Sequence, residues 1–144
     1  WASQKDAKVV CHDNDADYLD ADRDGMRDAL DCALADGTAF VVPREVSGVR
    51  FRSPGLFEWN GAAIGSGTGA RYDVVRGLLS QLPTGSRPGE TCLANDWASR
   101  TLTDDGNPAT GTGFYYLIRA SNACGTGTFG ADSSGTPRNS GVCL

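Results

Sequence analysis

After Pro43 the chain alternates short apolar runs with glycine-rich turns, and helical periodicity is nearly absent. Gly48 to Phe51 and Leu56 to Trp59 flank Pro54-Gly55, the pattern of a hairpin. Arg71 to Arg76 reads as a strand, followed by a looser apolar stretch through Leu82. Residues 83–89 read as a Pro/Gly/Ser loop, Ser99 to Asp104 as a short strand centred on Leu102, and 105–108 as a turn. Phe114 to Ala120 is the strongest strand, and Gly125-Thr126-Gly127 is expected to turn into a last strand near Thr128 to Ala131. Seven short strands at roughly regular spacing predict an all-β fold, an antiparallel sandwich of two sheets. Alternation assigns Phe57 and Trp59, Tyr72 and Val74, and Tyr116, Ile118 and Ala120 to its interior.

The segment before Pro43 has a different texture. Nine aspartates fall between Asp13 and Asp36. From Asp20 onward, acids stand at positions 1, 3, 5, 9 and 12 of a twelve-residue loop: Asp20, Asp22, Asp24, Asp28 and Asp31. Gly25 stands at position 6. This is the ligand order of an EF-hand-type calcium loop, with Asp in place of Glu at the last position. Calcium takes roughly six to eight oxygens, and alternate residues of a tight loop can aim side chains at one centre. The carbonyl of Met26 would add a ligand, Asp28 would act through a water, and Asp31 would close the shell. Asp13, Asp15 and Asp17 repeat the spacing and would share Asp24, but Tyr18 replaces the turn glycine. Ca2+ is the expected ion, because magnesium keeps its waters.

Charge follows the same division. Residues 1–43 carry ten acids against four bases, while the remainder is nearly balanced within a total of -5. No basic stripe exists, so nucleic acid is not an expected partner. Five cysteines, Cys11, Cys32, Cys92, Cys124 and Cys143, form no CxxC pair, and His12 is the only histidine, which disfavours zinc. Together with the calcium loop they indicate an oxidising setting, extracellular or at the cell surface. The expected pairs are Cys11–Cys32 around the acidic segment and Cys92–Cys124 in the second part, leaving Cys143 over. No apolar run is long enough to cross a membrane. The first residue is Trp1, not Met, which suggests a chain whose targeting segment has been removed.

Little else carries chemistry. Glu58 and Asp73 form a nominal carboxylate pair for glycoside hydrolysis, better read as exposed strand acids opposite arginines. Gly65 to Gly69 lacks the Lys of a phosphate loop and reads as flexible. Trp1, Trp97 and Tyr115 are candidates for a sugar-stacking platform. No enzymatic activity is expected.

Residues 43–135 resemble a fibronectin type III domain, an immunoglobulin-like seven-strand sandwich. The resemblance rests on Pro43-Arg44-Glu45-Val46, Trp59, Tyr72-Asp73-Val74, Leu102 and the run Tyr116 to Asn122. It implies Trp59 in the core and Tyr116 at the corner between the fifth and sixth strands. The acidic segment is similar to thrombospondin type 3 repeats and dockerin loops, and Asp31-Cys32 favours the former. Three parts follow: an extended segment 1–10, a calcium segment 11–42 and a sandwich 43–144. The combination resembles secreted and surface proteins of bacteria. It implies a calcium-stabilised structural module, a fibre subunit or spacer, with self-association or another extracellular protein as partner. Trp1, Val9 and Val10 in a segment without a family counterpart point to self-association. The alternative is a carbohydrate- or protein-binding module attached to a secreted enzyme.

Overall fold

A computed structural model describes residues 19–85 and 88–144. Among these residues seven strands form two antiparallel sheets: β1 (Arg50–Ser53), β2 (Leu56–Glu58), β3 (Arg71–Leu78), β4 (Thr91–Trp97), β5 (Thr101–Thr103), β6 (Phe114–Asn122) and β7 (Gly125–Thr126). One sheet has the order β1-β2-β5, the other β4-β3-β6-β7. The β1–β2 hairpin turns at Pro54-Gly55 as expected, with Gly55 at φ 79°. A 3-10 turn at Leu79–Gln81 follows β3. Among the described residues no helix is long and apolar enough to cross a membrane.

The sheets pack face to face. Phe57 and Trp59 from one meet Tyr72, Val74, Ile118 and Ala120 from the other, all buried. Phe57 and Tyr116 have ring centroids 4.8 Å apart, and Trp59 meets Tyr72 edge-on at 5.4 Å. The inward residues are those that alternation assigns.

Two strands differ from expectation. β4 (Thr91–Trp97) has no counterpart in the sequence reading. It is an edge strand whose pairing with β3 shifts register twice, which disrupts the alternation that would reveal it. The last strand is Gly125–Thr126 itself, not 128–131. Beyond it the chain leaves the sheet and crosses the outer face of β3 and β6. There Phe129, Val142 and Cys143 bury Val75, Tyr115 and Leu117 in a second core. Tyr115 is therefore 9% exposed and not a surface aromatic. Gly77, its cross-strand partner, makes room for it, since a Cβ there would strike the Tyr115 ring. The Tyr115 hydroxyl donates to Glu90 Oε1 at 2.7 Å, and the Ser140 hydroxyl to Oε2 at 2.6 Å.

The disulfides correct both expected pairs. Cys32 joins Cys124, and Cys92 joins Cys143. Cys143 is thus not left over, and Cys11 lies outside the described residues. The crossing tail brings Cys143 over β4, and the acidic segment lies against the β6–β7 turn. Proximity in space decides both pairings, and the sequence intervals between cysteines do not display it.

Two nearly buried carboxylates tie loops to this frame. Asp104 accepts from Arg76 Nη1 at 2.7 Å, the Tyr116 hydroxyl at 2.9 Å and Gly106 N–H at 2.9 Å. Burial opposes the charge of Asp104, but these bonds outweigh it and hold its carboxyl below the ordinary range. Glu90 behaves likewise: burial opposes its charge, and bonds from Ser140, Tyr115 and the N–H groups of Gly141 and Gly85 outweigh that. Burial, then the bond to Asp104, pushes the Tyr116 hydroxyl up to about 12. Both carboxyls titrate lower in the folded chain than in the unfolded one. Their stabilisation is complete above the unfolded values of 4.5 and 3.8 and is lost as pH falls through the folded ones. Urea melts should therefore show stability declining as pH drops below about 4.5, with a shallower decline in Glu90→Gln. An identical profile in that variant would remove Glu90 from the account.

Candidate metal centre

The acidic segment folds as an irregular loop held by its own carboxylates. Asp20 accepts from Asp24 N–H at 3.2 Å and Gly25 N–H at 3.1 Å, which closes the first turn. Gly25 adopts φ 92°, the left-handed conformation that its place at position 6 requires. Asp24 Oδ1 accepts from Met26 N–H at 2.6 Å. Asp28 closes the loop on itself: its N–H donates to Leu19 O at 2.7 Å and its Oδ1 accepts from Ala21 N–H at 2.7 Å. Asp31 Oδ1 caps Ala33 N–H at 2.8 Å. One helical turn follows, with Asp31 N–H donating to Arg27 O at 2.9 Å.

Oxygens of Asp20, Asp22 and Asp24 lie within 4.8 Å of one another. Both oxygens of Asp22 and Oδ2 of Asp24 are shielded from solvent and lack a hydrogen-bond partner among the described residues. Burial, then the neighbouring Asp24, Asp31 and Asp20 charges, raises the Asp22 carboxyl above its usual value; the nearby Asp24 N–H, whose bond goes to Asp20, opposes this only in part. Three convergent carboxylates repel one another, and the three oxygens without donors are costly to bury; a divalent cation between them removes both costs. Hard oxygens at this spacing suit calcium or magnesium better than a soft or borderline metal. The structure brings together Asp20, Asp22 and Asp24. Asp28 and Asp31 occupy the same loop with one oxygen each engaged by backbone. Asp13, Asp15 and Asp17 lie outside the described residues.

The loop is stapled to the sandwich. Cys32, directly after Asp31, bonds Cys124 in the β6–β7 turn. Asn122 at the end of β6 donates to Val41 O at 2.8 Å and Ser66 O at 2.9 Å, and its Oδ1 accepts from Cys124 and Gly125 N–H groups. Ala39 bridges Ser66, and the N–H groups of Phe40 and Val41 both reach Gly65 O. The glycine-rich stretch 65–69, expected to be flexible, is thus the clasp, with Ser66 fully buried. Asn122 and Ser66 escaped the sequence reading because neither has a local signal; their partners lie 81 and 56 residues away.

The other candidates separate. Asp73 is 7% exposed and paired with Arg119 at 2.8 Å on the outer face of the four-stranded sheet. Glu58 lies on the opposite side of the molecule, bonded to Arg52 at 2.7 Å and to Arg50. They oppose arginines as expected, but Asp73 is buried and the two cannot share a substrate. Of the aromatic platform, Trp1 is outside the described residues, Tyr115 is buried, and Trp97 is 41% exposed with Nε1 donating to Thr101 O. Comparison with protein-family models, with curated proteins and with solved structures finds no match.

Proposed function

We propose that the chain is a non-enzymatic, calcium-stabilised structural module of the cell exterior, a rigid link or fibre subunit. One observation carries this reading: in a loop of EF-hand spacing, oxygens of Asp20, Asp22 and Asp24 lie within 4.8 Å of one another, and three shielded oxygens of Asp22 and Asp24 lack a partner. Calcium would be held by Asp20, Asp22 and Asp24, with Asp28, Asp31 and the Met26 carbonyl as the remaining ligands. Two disulfides favour an oxidising compartment. The separation of Glu58 from Asp73 weighs against a hydrolase.

The strand order supports a fibronectin type III-like sandwich. The first, second and fifth strands share one sheet, and the third, sixth and seventh the other, with the fourth beside the third. Immunoglobulin-like folds distribute A, B and E against C, F and G in this way. Trp59, directly after the second strand, is buried at 3% exposure. The Tyr116 hydroxyl reaches back to Asp104, just after the fifth strand, a side-chain version of the tyrosine corner.

Calorimetry with added calcium tests the reading. With a dissociation constant of about 10 μM, about 1 mM calcium adds roughly 2.7 kcal/mol, or near 10 °C in melting temperature. Asp22→Asn should weaken binding by about tenfold or more, and equal magnesium should stabilise far less. A melting curve unchanged by excess chelator would refute it.

A further inference from the structure

β6 runs for nine residues, but β7 is only two residues long and pairs with it at Ser121 and Asn122 alone. Gly127 N–H adds a bond to Ala120 O at 2.8 Å before the chain departs for the outer face. Backbone groups alternate in direction along a strand. Those of Tyr116 and Ile118 therefore point as the Ala120 carbonyl does, away from β3. Among the described residues no strand occupies that side of Phe114 to Arg119.

A groove takes the place of the missing strand. One part, about 330 Å³, is walled by Val46, Val49, Tyr116, Ile118 and Phe129. The next, about 440 Å³, continues past Phe51 and Pro108 to Phe114. The first part touches inward residues of β6 (Tyr116, Ile118) and an outward one (Leu117), as the edge of a sheet does. Val49 and Phe51 on its far wall are 45% and 57% exposed. An edge of this length is a template for another strand unless it is covered.

We propose that this groove accepts a β-strand from residues 1–10 of a second copy, so that copies join head to tail. The proposal rests on the reading of the chain as a structural module and names its partner. Main-chain pairing to Tyr116 and Ile118 would set the register, and alternate side chains such as Ala7 and Val9 would enter the groove. Direction selects the second copy over the chain's own segment. β6 ascends from Phe114 to Asn122, where Cys32–Cys124 pins the acidic segment. An antiparallel strand, the more stable kind, descends toward Phe114 and ends about 20 Å from that segment. To return to the acidic segment, residues 11–18 of the same chain would have to span that distance out of a fully extended reach of about 31 Å. That leaves too little slack for Asp13, Asp15 and Asp17 to curl round an ion. A neighbour's segment needs no return, and the resulting contact is heterologous and propagates.

Sedimentation of the full chain in calcium over about a hundredfold concentration range tests the proposal. Association should grow with concentration and be capped to monomer by excess synthetic peptide of residues 1–10. Val49→Lys, at the groove wall, should weaken it by about tenfold or more while the melting temperature stays near that of the parent. A monomer at every concentration overturns the proposal, as does association indifferent to both peptide and Val49→Lys. A monomer that melts lower on Val9→Pro also overturns it, because the chain's own segment then fills the groove. Groove-dependent association in a chain whose melting ignores chelator would sink the calcium reading and leave this one standing; calcium-dependent melting in a strict monomer would do the reverse.

Discussion

Replacing Cys92 and Cys143 together by serine is expected to lower stability by about 4 kcal/mol. The bond closes a loop with a sequence separation of 51, and the chain-entropy relation puts roughly that value on a loop of this size. Packing acts in the same direction. The disulfide pins the tail whose Val142 and Phe129 cover Val75, Tyr115 and Leu117, so its loss also loosens the second core. Urea unfolding of the double variant measures the cost, and a loss under about 1 kcal/mol would mean the tail is held by its other contacts alone. Removing Cys32–Cys124 should act differently. Its separation of 92 adds only a few tenths of a kcal/mol to the entropic term, but hydrogen exchange should rise locally in residues 19–42. Mass mapping of non-reduced peptides should return these two pairs, and a Cys92–Cys124 peptide would contradict the structure.

Arg119→Ala is expected to cost about 3–5 kcal/mol, the range for breaking one side of a buried ion pair. Arg119 Nε donates to Asp73 Oδ2 at 2.8 Å, and Nη2 donates to Cys143 O at 2.5 Å. The guanidinium also lies 4.9 Å from the Phe129 ring centroid. Without it, Asp73 keeps only the Asp96 N–H at 3.0 Å for a carboxylate with little solvent. The controls separate charge from packing. Arg119→Lys keeps the charge but cannot reach both acceptors in one plane, so an intermediate loss is expected. Arg119→Met with Asp73→Asn removes the buried charges together and should recover much of the deficit. A single Arg119→Ala variant that melts like the parent would show that water satisfies Asp73.

The sandwich was legible where its strands alternate. Phe57, Trp59, Tyr72, Val74, Ile118 and Ala120 announce themselves because each follows a polar or outward neighbour, and Pro54-Gly55 marks its turn. β4 was not legible. Thr91–Trp97 is an edge strand that needs few apolar residues; its Asn95-Asp96 resembles a turn, and its bulges break the period. The second core was hidden for another reason. Alternation sends Tyr115 and Leu117 outward, and only the returning tail, more than ten residues downstream, converts that face from wet to dry. The metal loop shows the same split. Its spacing is local and readable, whereas its anchorage through Asn122, Ser66 and Cys124 depends on distant segments meeting.

The two disulfides also determine how the chain would bear tension. A pull between Cys32 and Cys143 passes through the first bond to Cys124 and then along the tail. Most of β1 to β6 lies inside closed covalent loops and carries none of the load after the tail straightens. Extension then stops near 65 Å for the roughly nineteen residues beyond Cys124, where an unbridged stretch of the same span would reach about 380 Å. In a string of such units, overload would lengthen each by a short, fixed step and leave the loops that fold the sheets still closed.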